Sequence, residues 1–293
     1  MLLGAIEAGG TKFVCAVSNE RFEIMDRKSI PTTTPGETLN QVFEFFKPYR
    51  LASLGVGSFG PVDLNPQSPT YGYITSTPKM SWQNFDLLGT LENTLEIPIS
   101  LTTDVNAASL AELELGAAVG YESCLYLTVG TGIGGGFSQK GKTKCKSHPE
   151  MGHIRIKRHL EDSFEGLCPF HHDCLEGLAS GPAIEKRCGI PAYELDKDDR
   201  AWEFVAHYLA QGILNSILTL MPDKIVLGGG VSQQRHLLPL IEKELHQLNG
   251  GYVPLSEIKN PSLGHNSGVM GSLILAAKAL DLVNRNTTEA KIT

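Results

Sequence analysis

The chain has 293 residues, of which 41% are hydrophobic and 19% are charged. At about 150 residues per domain this length predicts two compact domains, and the composition excludes collagen-like, disordered and coiled-coil proteins. The formal net charge of −7 argues against nucleic-acid and membrane partners. We expect a cytoplasmic protein, because no run approaches the roughly 20 apolar residues of a membrane span and the first residues lack a signal-peptide pattern. In that reducing compartment the six cysteines are expected to be thiols or metal ligands.

A strand–glycine–strand unit occurs twice along the chain. Apolar strands predicted at Leu2–Ile6 and Phe13–Val17 flank a Gly9-Gly10 turn. Residues 125–137 repeat this arrangement around Gly130-Thr131-Gly132. A repeat of one unit about half a chain apart predicts two related domains.

The rest of the chain alternates between strand and helix patterns, which is typical of α/β domains. Further elements are predicted as strands Leu54–Gly57, Ile99–Thr102 and Lys224–Leu227 and as helices Ala107–Ala117, Ala201–Met221 and about 268–283. We place the domain boundary near residue 115. The domains are then 1–115 and 116–293, with the last helix packing back on the N-terminal domain.

The two glycine turns are candidate phosphate sites. In Gly9-Gly10-Thr11-Lys12, missing side chains let backbone N–H groups approach a phosphate, and Lys12 adds a positive charge. Taken alone, this segment is more often a plain hairpin turn. Gly130-Thr131-Gly132 is the equivalent turn of the second half, and two such turns facing each other across an interdomain cleft would hold a triphosphate from both sides.

Two more turns in the second half have two interpretations. Ser180-Gly181-Pro182 and the Gly228–Ser232 segment, Gly228-Gly229-Gly230-Val231-Ser232, are typical of helix starts. If the second half binds a nucleotide, both turns could instead border the adenosine.

Four residues predict a metal site. Cys168, His171 and Cys174 have the spacing Cys-x2-His-x2-Cys, and His153 precedes them by 15 positions. Two thiolates and two imidazoles suit a tetrahedral structural zinc ion. His172 is the alternative to His171, and spacing alone does not decide between them.

Carboxylates near predicted strand and loop ends are candidate ligand contacts. Asp104 follows an apolar strand and precedes a helix, so it is either a helix N-cap or a carboxylate at the ligand-binding edge of a sheet. Glu150 and Glu176 flank the predicted zinc site and could accept hydrogen bonds from the hydroxyls of a polyol. Surface solvation is the alternative for both. Gly60-Pro61 lies in a turn-rich segment that could line a pocket, although a surface loop is favoured by spacing alone.

Together these motifs resemble the ROK family of sugar kinases along essentially the whole chain. The resemblance is carried by Glu7-x-Gly9-Gly10-Thr11-Lys12, Gly60-Pro61-Val62-Asp63, Thr103-Asp104-Val105-Asn106-Ala107-Ala108, Gly130–Gly136, Glu150-Met151-Gly152-His153 and Cys168–Glu176. Thr77-Pro78-Lys79, Trp82 and the Cys168–Gly177 segment look most like the bacterial fructokinase branch. The resemblance implies an actin-like, hexokinase-type ATPase fold with two α/β domains around a cleft. It also implies binding of MgATP and a hexose, a structural zinc ion, and a homodimer.

The resemblance also implies roles for single residues. Asp104 would be the general base that takes the proton from the sugar hydroxyl. The sugar contacts would be Gly60, Pro61, Thr103, Asp104, Glu150, His153 and Glu176. The nucleotide and phosphate contacts would be Gly9, Gly10, Thr11, Lys12, Thr131, Gly132, Pro182, Gly228, Gly229, Gly230, Val231 and Ser232. Zinc would be bound by His153, Cys168, His171 and Cys174.

Two departures from the family pattern refine these expectations. Glu7 stands where the family usually has Asp, so a Mg²⁺ contact at Glu7 would be direct or through water. Thr103 stands where the glucokinase branch usually has Asn, which weakens a glucose assignment. The likeness to the fructokinase branch implies D-fructose, phosphorylated to fructose 6-phosphate, as the first expectation. The alternatives are mannose, glucose or an amino sugar as substrate, or a sugar-responsive repressor. The repressor is disfavoured by the net charge of −7 and by a phosphate motif that begins at Gly4, where a helix-turn-helix would be expected.

Overall fold

The structure is a computed structural model that describes residues 1–140 and 148–289. Within these residues the strands are β1 (Leu2–Ala8), β2 (Lys12–Ser18), β3 (Ile24–Pro31), β4 (Leu51–Ser58), β5 (Tyr73–Ile74), β6 (Phe85–Asp86), β7 (Ile99–Thr103), β8 (Ser123–Val129), β9 (Ile133–Gln139), β10 (Lys224–Gly228) and β11 (Glu257–Lys259). The helices are α1 (Pro35–Phe46), α2 (Leu87–Leu95), α3 (Asp104–Leu115), α4 (Leu175–Ala179), α5 (Gly181–Cys188), α6 (Ala201–Leu220), α7 (Leu237–Asn249) and α8 (Ser267–Glu289).

The first compact unit contains residues 1–114, His148 and residues 265–289. Its main sheet has the order β3-β2-β1-β4-β7, in which β2 is antiparallel to β1 and β3, and β4 is parallel to β1 and β7. One face packs against α1 and α2, and the other against α8. Because both faces are covered, β1 and β4 are buried along nearly their whole length.

Helix α8 lies directly against the central strands of this sheet. A Cβ on Gly55 would lie 1.7 Å from the carbonyl oxygen of Ser272, so only glycine permits this approach. The Ser53 hydroxyl donates to the Ala276 carbonyl at 2.7 Å, and the Ser272 hydroxyl donates to the Ile6 carbonyl at 3.0 Å. The closing helix is therefore part of the core around β1 and β4.

The second compact unit contains residues 115–140 and 149–264. Its sheet has the order β11-β10-β8-β9, with β9 antiparallel to β8, and with β10 parallel to β8 and β11. Helix α6 supplies the fully buried Trp202 and Tyr208 to a core shared with α4, α5 and α7. In each unit the first strand of an antiparallel hairpin also pairs with a parallel strand, β1 with β4 and β8 with β10. The repeated glycine turns join the two strands of these hairpins.

Most of the predicted elements extend beyond their predicted bounds, and α8 differs most because it continues to Glu289. Helix α3 begins at Asp104 instead of Ala107 and ends at Leu115 instead of Ala117. The backbone N–H of Asn106 donates to the Thr103 hydroxyl at 3.0 Å, so Thr103 caps the helix. The sequence placed Asp104 just before the helix, whereas the structure makes it the first helical residue.

No helix in the described part of the chain combines the length and the apolar character needed to cross a membrane. Cys145 lies outside the described residues, and Cys15, Cys168, Cys174 and Cys188 are thiols that form no disulfide bond within the described part of the chain.

Candidate active site

The first glycine turn joins β1 to β2 and is held from both sides. The Gly9 N–H donates to the Lys12 carbonyl at 3.0 Å, and a Cβ on Gly9 would lie only 2.8 Å from that oxygen. Thr32 donates its hydroxyl to the Gly9 carbonyl at 2.8 Å and its N–H to the Thr11 carbonyl at 3.0 Å. The turn is thus fixed, while the side chains of Thr11 and Lys12 are exposed and available to a ligand.

Glu7 lies one residue before the end of β1, beside this turn. Its carboxyl group contacts the first turn of α8, because a Cβ on Gly268 would lie 2.5 Å from the Glu7 Cδ. Burial raises the pKa of Glu7 above its ordinary value, and the positive charges of Arg27 and Lys12 oppose that shift. A carboxylate next to a phosphate turn suits Mg²⁺, which is commonly held by one or two carboxylates together with substrate phosphates and waters.

Asp104 is the first residue of α3, directly after β7. Its Oδ1 accepts the N–H of Val105 at 2.8 Å. The N-cap role that the sequence left open belongs to Thr103, so the Asp104 carboxylate is not required for capping. The first turn of α3 packs against β4 at Gly57, where a Cβ would lie 3.3 Å from the Asp104 Cα.

Three predicted ligand contacts of the first unit thus lie at the carboxyl ends of parallel strands, at one edge of the sheet. Glu7 is at the end of β1, Gly60-Pro61 follows β4, and Asp104 follows β7. The carboxyl ends of parallel strands form the edge where α/β proteins place ligands. The sequence missed His148, whose ring lies against Gly60 and whose Nδ1 accepts the Val62 N–H at 3.1 Å. No local spacing links His148 to Gly60, so sequence patterns offered no signal for it.

The glycine turns of the second unit converge. The Gly130 N–H donates to the Gly132 carbonyl at 2.9 Å, and the Gly181 N–H donates to the Gly130 carbonyl at 2.8 Å. A Cβ on Gly130 would lie 3.8 Å from the backbone nitrogen of Gly230. Gly229 has φ of 92°, and a Cβ there would lie 2.3 Å from the Val129 carbonyl oxygen. Backbone from three separate segments therefore meets at one place.

The residues of these turns differ in their exposure to solvent. Thr131 is exposed, whereas Gly228, Val231 and Ser232 are buried. The Ser232 hydroxyl donates to the Gly229 carbonyl at 2.8 Å and holds that turn. Pro182 lies in the first turn of α5, so it has the helix-start role that its sequence also suggested. A ligand of the Gly228–Ser232 segment would therefore contact mainly backbone.

The four predicted zinc ligands form one cluster, in which their ligand atoms lie within 4.8 Å of one another. The Cys168 Sγ is 3.6 Å from the His153 Nδ1 and 3.7 Å from the His171 Nδ1, and the Cys174 Sγ is 3.5 Å from the His153 Nδ1. Tetrahedral zinc bonds of about 2.3 Å to sulfur and about 2.0–2.1 Å to nitrogen would separate S and N by about 3.5–3.6 Å. The donor set and its spacing therefore fit zinc.

The backbone explains why the cluster contains His171 and not its neighbour. His172 has φ of 54° and is exposed, while its N–H and carbonyl both bond to the backbone of Cys168. This tight turn brings His171 to the two thiols. Burial raises the pKa of the Cys174 thiol to about 11, so an ion bound there must displace thiol protons.

The metal cluster is connected to two candidate sugar contacts. The Nδ1 of His153 faces the thiols, while its Nε2 lies 3.8 Å from a carboxylate oxygen of Glu150 and 3.8 Å from one of Glu176. The second oxygen of Glu176 accepts the N–H of Ile133 at 2.8 Å. Both carboxylates therefore lie beside the imidazole ring that also faces the thiols.

Comparisons with known proteins identify the family and the fold of the chain. The family model described as "ROK family" matches residues 3–279. A fructokinase of Pediococcus pentosaceus is 46% identical and covers 96% of this chain and 99% of its own, and a fructokinase of Lactococcus lactis subsp. cremoris is 46% identical over 93% and 96%. The solved structure of a ROK hexokinase from Thermus thermophilus has a TM-score of 0.78 at 26% identity and covers 96% of this chain and 99% of its own. These findings confirm the α/β, actin-like ATPase fold class predicted from the sequence.

Proposed function

The chain belongs to the ROK family, and from this premise we propose that it is an ATP-dependent hexose kinase that converts D-fructose to fructose 6-phosphate. The relatives that match nearly the whole chain at 46% identity carry the name fructokinase. The structural observation that supports the proposal is Asp104, a carboxylate at the carboxyl end of β7 whose helix is capped by its neighbour Thr103.

Asp104 is the proposed general base. It accepts the proton of the primary sugar hydroxyl while that oxygen attacks the γ-phosphorus of ATP. A bond forms between the sugar oxygen and phosphorus, the bond from phosphorus to the β–γ bridging oxygen breaks, and ADP leaves with that electron pair. A positioned base of this kind contributes about 10²–10⁴-fold to the rate.

The glycine turns are proposed to bind ATP. Backbone N–H groups of Gly9-Gly10-Thr11-Lys12 approach the phosphates, and Lys12 adds a positive charge. In the second unit the Thr131 hydroxyl, Gly132, Pro182 and the backbone of the Gly228–Ser232 segment contact the nucleotide. Mg²⁺ bound with ATP neutralises phosphate charge during transfer. Glu7 is the residue of this chain that would hold it, directly or through water.

We propose two groups of sugar contacts. Thr103 and Gly60-Pro61 lie at the sheet edge that carries Asp104, while His153 belongs to the metal cluster and Glu150 and Glu176 lie beside its ring. Carboxylates accept hydrogen bonds from paired hydroxyls. Zinc on the four ligands has a structural role, because a closed set of protein ligands leaves no open coordination position.

We further propose that the protein acts as a homodimer in the cytoplasm, where its co-substrate ATP is available. The dimer is supported by membership of the ROK family, and Leu160 and Phe170, which are 95% and 66% exposed, offer apolar surface to a second copy. Light scattering of the purified protein tests the dimer, and a monomer mass at working concentration would contradict it.

The substrate assignment is tested by coupled ADP release with fructose, mannose, glucose and an amino sugar. We expect hexose-dependent release of ADP, with the highest kcat/KM for fructose. Higher kcat/KM for another hexose would contradict the fructose assignment alone. No hexose-dependent release with any of the sugars would contradict the kinase proposal.

A further inference from the structure

Lys79 lies against the first phosphate turn, from which it is distant in the sequence. A Cβ built on Gly10 would lie 3.4 Å from the Lys79 Cε. The carbon that carries the ammonium group is therefore in contact range of the turn that joins β1 to β2. Both residues belong to the first compact unit.

The loop that carries Lys79 is fixed to the same turn region. The Lys79 N–H donates to the Thr77 hydroxyl at 3.3 Å, and the Lys79 carbonyl accepts the Trp82 N–H at 2.8 Å. Trp82 is fully buried, donates its ring N–H to the Thr33 carbonyl at 2.8 Å, and packs against Phe13 of β2 with ring centroids 5.3 Å apart. The position of Lys79 beside Gly10 is thus defined by buried contacts.

Among the residues that the structure describes, no carboxylate forms an ion pair with Lys79. An unpaired ammonium group on a partly buried side chain, next to a glycine turn, favours binding of an anion. With Lys12 it places two lysines at one turn.

On the basis of the proposed kinase function, we propose that the Lys79 ammonium group contacts the γ-phosphoryl group of ATP, the group that is transferred to the sugar. Negative charge on the oxygens of this group must be balanced as the bond to the bridging oxygen breaks. Lys79 donates hydrogen bonds to those oxygens and leaves the α- and β-phosphates to the backbone N–H groups. It is a catalytic residue because it touches the transferred group.

The test compares Lys79→Met and Lys79→Arg with Lys47→Met, which removes a lysine that is 72% exposed at the end of α1. Calorimetry measures the affinity of each protein for the magnesium complexes of ADP and of AMPPNP, an analogue that carries a γ-phosphoryl group. We expect Lys79→Met to weaken AMPPNP binding at least about tenfold, the range for a hydrogen bond to a charged group. Its affinity for ADP should match that of Lys47→Met, and Lys79→Arg should restore most of the AMPPNP affinity.

Equal losses for ADP and AMPPNP, or no loss for either, would overturn the role of Lys79. Equal losses in the Met and Arg variants would also overturn it, because the charge would not matter. Melting temperatures are measured to check that all variants are folded. Hexose-dependent ADP release by the wild-type protein is measured in parallel. A protein that binds AMPPNP through Lys79 but phosphorylates no hexose contradicts the proposed function alone.

Discussion

The Glu176 carboxylate accepts the backbone N–H of Ile133 at 2.8 Å and faces the His153 Nε2 at 3.8 Å with its other oxygen. Ile133 directly follows the Gly130-Thr131-Gly132 turn, and the other ring nitrogen of His153 faces the thiols of the metal cluster. One carboxylate thus connects the proposed nucleotide turn to the proposed zinc site. Changes at the metal are expected to reach the turn through Glu176.

Glu176→Gln tests the proposed contact of this carboxylate with the sugar. The amide oxygen can still accept the Ile133 N–H, but the negative charge beside His153 and the second strong acceptor are lost. We expect the KM for fructose to rise at least about tenfold, the range for a charged hydrogen bond, with zinc content and melting temperature unchanged. Glu165→Gln, at an exposed carboxylate in the loop that precedes α4, is the control. An unchanged KM would show that Glu176 does not contact the sugar.

Removal of the metal should destabilise the protein. We expect about one equivalent of zinc per chain, as four protein ligands form one closed site, and a lower melting temperature after chelation, since zinc binding contributes to folding free energy. Cys174→Ser should lose the metal, whereas Cys188→Ser, outside the cluster, should keep it. Metal analysis and thermal unfolding measure both effects. Zinc well below one equivalent, with no effect of a chelator, would contradict the site.

Local sequence patterns predicted the parts of this protein that local chemistry determines. The Cys-x2-His-x2-Cys spacing predicted three members of the metal cluster, because a tight turn brings close neighbours together. The choice of His171 over His172 depends on a backbone φ of 54° that spacing does not encode. The contact of Lys79 with Gly10 depends on Trp82 packing under β2, and such long-range contacts leave no periodic signal.

Substitutions in the two glycine turns should impair use of ATP with little loss of stability. Gly10→Val adds methyl groups beside the Lys79 Cε, so the lysine side chain must shift. The same methyl groups cover backbone N–H groups that the phosphates of ATP would otherwise approach. Thr131→Val removes an exposed hydroxyl without changing shape. We expect a higher KM for MgATP in both variants. Wild-type KM and turnover in both would contradict the assignment of the turns to ATP.

Glu7→Gln should change stability in a pH-dependent manner. Burial raises the folded-state pKa of Glu7 above the ordinary 4.5, so ionisation of this carboxyl costs stability once the pH exceeds that value. The glutamine variant should gain stability relative to the wild type as the pH rises from about 4 to about 8. It should also require more Mg²⁺ for activity. Urea unfolding at both pH values measures the first effect, and a difference that does not grow with pH would contradict it.

The enzyme assignment depends most on Asp104, and Asp104→Asn isolates its role as a base. The asparagine oxygen can still accept the Val105 N–H, and the helix cap on Thr103 is untouched. We therefore expect an unchanged melting temperature, retained zinc and ATP binding, and turnover lower by at least about two orders of magnitude.

Thr103→Ala should instead lower stability by about 1 kcal/mol through loss of the cap. Asp198→Asn, at a side chain that is 83% exposed, controls for the loss of one carboxylate. Fructose-dependent ADP production measures whether Asp104 is the general base. Turnover of Asp104→Asn close to that of the Asp198 control would mean that another group accepts the sugar proton.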